Sequence, residues 1–129
     1  MALTVAAASC QAMGSALATD IGASAVIEIR SGSKPATPET AATGTLLVSI
    51  TISGSFTSSG GVLTAADPAS ASPAASGTAG YFRLKKSGGT AVLDGTVGTS
   101  GADMNLGSTT ITTGVPVDLG VPTITVPVA

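Results

Sequence analysis

Gly80-Tyr81-Phe82-Arg83-Leu84-Lys85-Lys86, followed by Ser87-Gly88-Gly89 and then Thr90-Ala91-Val92-Leu93-Asp94, is the stretch that decides the fold. Its first run alternates with a period of two, so that Phe82 and Leu84 fall on one face of a strand and Tyr81, Arg83 and Lys85 on the other. The Ser-Gly-Gly interruption supplies residues that tolerate a tight reversal, and a second β-prone run follows it. Together they predict a β-hairpin.

The same period recurs upstream. Val26-Ile27-Glu28-Ile29-Arg30 places Ile27 and Ile29 opposite Glu28 and Arg30, as a half-covered strand requires. After a polar loop from Ser31 through Pro35 and Pro38 to about Thr43, Leu46, Val48, Ile50 and Ile52 alternate with Thr45, Leu47, Ser49 and Thr51, which reads as a central strand. Ser58–Gly61 reads as a hairpin tip between a strand near Phe56 and one at Val62–Ala65, and Asp67–Gly77 as an Ala/Ser/Pro loop. Gly95–Gly101 reads as a turn. Asp103–Leu106, Thr109–Thr112, Pro116–Leu119 and Val121–Val126 are further candidate strands, with Pro116, Pro122 and Pro127 directing them to sheet edges or ends.

Only the N-terminal segment, residues 1–22, departs from this pattern. Ala6, Cys10, Met13 and Leu17 share one stripe of a helix expected from about Thr4, its candidate N-cap, to Thr19, with Gly22 beyond its end. The stripe is expected to pack on the sheet; docking on a neighbouring subunit is the alternative. Ala16-Leu17-Ala18 has the look of a signal-peptidase site, but no Lys or Arg precedes Arg30 and Ser9, Gln11, Gly14 and Ser15 interrupt the apolar run, so a leader is not expected. The fold expected for residues 1–129 is one mainly β domain: a β-sandwich or jelly-roll-like body of short antiparallel strands over 23–129, with one N-terminal α-helix.

Composition bounds the function. The 129 residues include 35 Ser and Thr, 17 Gly and only three aromatics, with 29 Leu, Ile, Val and Phe to build a lean core. Five basic against seven acidic residues are too few and too balanced for a surface that tracks phosphates, so no nucleic-acid partner is expected. No run of about 20 apolar residues could span a bilayer, so no membrane partner is expected either. Cys10 is the lone cysteine, which leaves no internal disulfide and no thiolate metal cluster.

With no histidine in the chain, Ser-His-Asp and Cys-His arrangements, histidine zinc sites and histidine bases have no residues to build them. Ser31-Gly32-Ser33-Lys34 matches a Ser-x-x-Lys pattern, but that chemistry needs the serine at the start of a buried helix, and Pro35 and Pro38 follow here. Gly95-Thr96-Val97-Gly98-Thr99-Ser100-Gly101 lacks phosphate-loop spacing. Asp94, Asp103 and Asp118 lack the dense ladder of a calcium loop. No catalytic residue, cofactor or metal is expected.

What remains is surface. Arg83, Lys85 and Lys86 hold three of the five basic residues within four positions, and Tyr81 shares the face of Arg83 and Lys85. They read either as a solvated strand face that discourages edge pairing or as a contact for an acidic partner with Tyr81 as an aromatic anchor.

Gly77-Thr78-Ala79-Gly80-Tyr81-Phe82-Arg83, Ala91-Val92-Leu93-Asp94-Gly95-Thr96-Val97-Gly98 and Ala102-Asp103-Met104-Asn105-Leu106 resemble, in order, phrases of small proteins encoded among the virion-assembly genes of tailed bacteriophages. Ile27-Glu28-Ile29-Arg30-Ser31-Gly32 and Pro35-Ala36-Thr37 are similar to the front part of the same proteins. The resemblance implies a virion part: a capsid decoration, or cement, protein bound to the major capsid protein on the head exterior and made in the bacterial host's cytoplasm. Such proteins occur as monomers, dimers and trimers according to the capsid site they occupy; a homo-oligomer is expected here, with a trimer as the first expectation. Met13, Tyr81, Arg83, Lys85, Lys86, Val121 and Val126 are the candidate partner-interface residues. The two termini are candidate arms or simple terminal strands. A tail, head–tail or fibre component is the alternative within the class; a carbohydrate-binding β-sandwich is the alternative outside it, although such platforms favour exposed aromatics and the chain has no Trp and one Tyr.

Overall fold

A computed structural model describes residues 6–65, 70–118 and, as backbone, 123–125. The chain is mainly β with one helix. Helix α1 (Ala7–Ile21) is followed by β1 (Val26–Ser31), β2 (Leu46–Thr51), β3 (Thr57–Ser59), β4 (Val62–Thr64), β5 (Gly77–Lys85), β6 (Ala91–Gly98), β7 (Met104–Asn105), β8 (Thr110–Ile111) and β9 (Thr123–Thr125). The larger sheet has the order β2-β1-β5-β6-β7, with β8 also paired to β5, and the smaller has the order β3-β4-β9.

The predicted hairpin is there. Strands β5 and β6 pair antiparallel, Tyr81 across from Thr96, Phe82 from Gly95, Arg83 from Asp94 and Leu84 from Leu93. The turn closes with the Lys86 amide donating to Thr90 O and the Gly89 amide to Lys86 O, at Gly89 with φ 99°. On its other edge β5 pairs antiparallel with β1, Glu28 opposite Arg83 and Ile29 opposite Phe82. In the larger sheet β1, β5 and β6 therefore each have a partner on both sides.

The expected central strand β2 is an edge strand instead. Among the described residues it pairs with β1 alone, and a bulge between Ile29 and Arg30 leaves Leu47 as the extra residue, which is why Leu47 and Val48 are both fully buried despite being neighbours. An apolar alternation reports what covers the two faces of a strand and says nothing of what lies beside its edge.

The sheet is also mixed, not purely antiparallel. Residues 95–98, expected as a turn, continue β6, and the reversal is confined to 99–103, so that β7 returns parallel to β6 with Val97 beside Met104. The Phe82 ring explains why glycine sits in the strand at 95: a Cβ there would meet Phe82 Cε1 at 2.4 Å. Asp103 closes the reversal, its Oδ2 accepting from the Thr96 amide at 2.9 Å. The expected strand at Pro116–Leu119 reduces, within the described residues, to a single bridge between Ala71 and Val117.

Helix α1 starts later than expected, with Ala6 at the N-cap position and no side-chain cap; Thr4 lies outside the described residues. Its buried residues are Cys10, Gly14 and Ile21, with Leu17 and Ala18 partly buried, so the packed face is turned away from the expected stripe and Met13, 42% exposed, lies off it. The reason is Gly14, which permits close approach to the β3–β4 hairpin. A Cβ there would lie 2.6 Å from Ser58 Oγ and 3.3 Å from Gly61 Cα. Gln11 secures the seam by accepting from the Gly60 amide and donating to Ser58 O.

One hydrophobic cluster joins the helix and both sheets: Ile21, Ile27, Ile29, Val48, Ile50, Ile52, Phe56, Leu63, Leu84 and Ile111 are all within it. Each such side chain contributes about 1.5–3 kcal/mol on leaving water.

Candidate functional site

Opposite the core, β1, β5 and β6 present their other face, and register alone brings its charges together. Glu28 lies across from Arg83, and Arg83 across from Asp94. Arg83 donates to Asp94 through both ends of its fork, Nε to Oδ1 at 2.7 Å and Nη2 to Oδ2 at 2.9 Å, with both side chains under 5% exposed. That bidentate geometry is the strongest an arginine–carboxylate pair makes. The hydrogen bond to Asp94 and the charges of Asp94, Tyr81 and Glu28 hold the Arg83 guanidinium above its ordinary pKa, against the opposing effect of burial.

Glu28 serves two cations. Its Oε1 accepts from Arg30 Nε and its Oε2 from Lys85 Nζ, each at 3.2 Å. Lys86 Nζ reaches 2.8 Å across to Asp20 Oδ1 and ties the hairpin to the end of α1. Four of the five basic residues therefore face a carboxylate.

Tyr81 completes the arrangement. Fully buried, it donates from its hydroxyl to Thr43 O at 2.7 Å and accepts from the Thr43 amide at 3.0 Å. This holds the 32–45 loop down on the sheet. The loop's ends are cinched where Ser31 and Thr45 exchange bonds, Ser31 N to Thr45 O and Thr45 N to Ser31 Oγ. Gly44 fits there because a Cβ would fall 1.9 Å from Ser31 O, and its φ is 71°.

The expected surface patch at 81–86 is thus corrected. Tyr81 and Arg83 are interior residues, 0% and 3% exposed, and cannot serve as an aromatic anchor and a free cation for a partner in this chain. Lys85 and Lys86 keep partly exposed side chains, at 26% and 35%, but both are ion-paired. Met13 is at the surface, away from the others' sheet face; Val121 and Val126 lie outside the described residues. What the sequence reading missed was the pairing of charges of opposite sign. Glu28 and Arg30 on one strand, and Arg83 and Lys85 on the next, carried that signal in their shared parity.

Among the described residues no group of three His, Cys, Asp or Glu side chains could hold a metal ion, and no helix is long and apolar enough to cross a membrane. Chemically the face is a lock: each charge is neutralised by a neighbour, and the ordered groups are scaffold. The sequence from Thr40 to Ala66 carries no charged residue, and its exposed positions among the described residues include Ser49, Thr51, Ser53 and Ser55. No family model matches the chain, and neither a curated protein nor a solved structure matches it.

Proposed function

We propose that this chain is a non-catalytic virion structural protein of a tailed bacteriophage, a capsid decoration protein that binds the major capsid protein on the outside of the head and stabilises it. The observation that carries the reading is the packing of the phrases on which the resemblance rests. Gly77–Arg83 and Ala91–Gly98 are neighbours in the sheet: Arg83 clasps Asp94, Phe82 covers Gly95 and Tyr81 lies across from Thr96. The resemblance therefore falls on the residues that determine the scaffold. A scaffold that pairs four of its five basic residues internally, carrying a weakly charged exterior, suits lasting burial against another protein, where unpaired charges would be costly to desolvate.

We read the two sheets as the facing layers of a sandwich or jelly-roll-like body, because both contribute to one hydrophobic cluster. Binding assays with the purified chain test the function. Capture by mature capsids, with a raised temperature of capsid disruption, is expected; binding to isolated tails would move the role to a tail or head–tail part. Binding to a glycan and not to particles would replace the reading altogether.

A further inference from the structure

We propose that the outer edge of β2 pairs antiparallel with β2 of a second copy of this chain across a two-fold axis, joining two larger sheets into one. The Ile52 amide donates to Ala25 O, on the β1 side. Because backbone groups alternate along a strand, Ile50 and Val48 also turn toward β1, and the amides and carbonyls of Ser49 and Thr51 turn away from it. No strand lies on that side among the described residues. The described backbone bonds there reach only Leu47 O, from the Ala74 and Ala75 amides, and so cap the N-terminal end; among the described residues no backbone bond reaches the outward groups of Ser49 and Thr51.

Edges of this kind are normally guarded by Lys, Pro or an inward charge. This one has none, since no charged residue occurs between Glu39 and Asp67 and no Pro between Pro38 and Pro68. The composition selects the occupant. A strand without charge gives an acidic or basic partner nothing to recognise, yet it meets its own copy without opposing like charges. Centred on Ile50 facing Ile50 of the second copy, the pairing sets Ser49 opposite Thr51 twice. These are hydrogen-bonding pairs, each exchanging two backbone bonds, and their exposed hydroxyl side chains are compatible cross-strand neighbours. The inference concerns the free chain and does not depend on a virion role; it points to a dimer in place of the trimer that the resemblance suggests.

Sedimentation of the purified full chain across a concentration series tests it. The wild type is expected to dimerise. S49K/T51K sets lysines opposite each other on an exposed face, and S49P removes an outward amide without touching the β1 ladder; each is expected to raise the dimer dissociation constant at least about tenfold. S49K/T51E places opposite charges across both pairs and is expected to restore association, while circular dichroism shows all three folded. A wild type monomeric throughout, an oligomer indifferent to S49K/T51K and S49P, or a failure of S49K/T51E to recover would each overturn the proposal. A monomer whose capsid binding is lost in S49P would likewise overturn it, assigning the edge to a capsid strand.

Discussion

Arg83 and Asp94 illustrate how one buried pair can set the tolerance of a whole sheet. Removing one partner leaves the other charged and without water, so Asp94→Ala is expected to cost about 3–5 kcal/mol in urea unfolding, whereas the double change R83M/D94L, which leaves no orphaned charge, is expected to cost much less. Equal losses in the single and double variants would mean that shape, not charge, dominates there. The pH dependence follows from the sign of the shift. A guanidinium raised above its unfolded value contributes fully below that value and loses its contribution only as pH climbs through the folded one, so Arg83 gives no loss of stability between pH 7 and about 10. Tyr81→Phe removes a hydroxyl that both donates to and accepts from Thr43, and is expected to cost about 1–3 kcal/mol and to open the 32–45 loop to proteolysis. The parity of these residues was legible in the sequence. Their burial was not: Tyr81 is held under Thr43 of the 32–45 loop, and no local pattern announces a partner 38 residues away in the chain.

Among the elements, α1 and β2 show the same limit from two sides. The helix was visible from its spacing, but its packed face is selected by Gly14 and Gly61 at the seam with the β3–β4 hairpin, where a Cβ on Gly61 would lie 3.0 Å from Cys10 Cβ. Gly14→Val is accordingly expected to destabilise by about 1–3 kcal/mol through overpacking, while Met13→Glu, on the open side, stays within about 0.5 kcal/mol in thermal or urea unfolding. Ser58 Oγ is buried at this seam without a hydrogen-bond partner among the described residues, so Ser58→Ala is expected to raise stability by about 1 kcal/mol. The hairpin β5–β6 and its turn were legible because its partners adjoin in sequence, although β6 runs on through 95–98, where a turn is expected. The edge position of β2 and the parallel pairing of β7 were not, since alternation along a strand reports its two faces and not the neighbour or direction at its edge.

For the whole molecule, the proposed function rests on a scaffold braced by its own ion pairs that presents a weakly charged surface for attachment. The fold class follows from alternation, Gly and Ser/Thr content; the loss of the 81–86 patch as a working surface follows only from three-dimensional pairing. Because four of the five basic residues are paired within the chain, attachment to a capsid should depend weakly on salt, in contrast to a basic patch docking on an acidic partner. The deciding measurement adds the purified chain to mature heads that lack it, from the phage proposed to carry it, and follows both bound protein and the temperature at which the heads disrupt. Saturable binding at fixed sites on the head with a raised disruption temperature, little changed between low and high salt, is the predicted result; heads that neither bind the chain nor gain heat resistance would contradict the central claim.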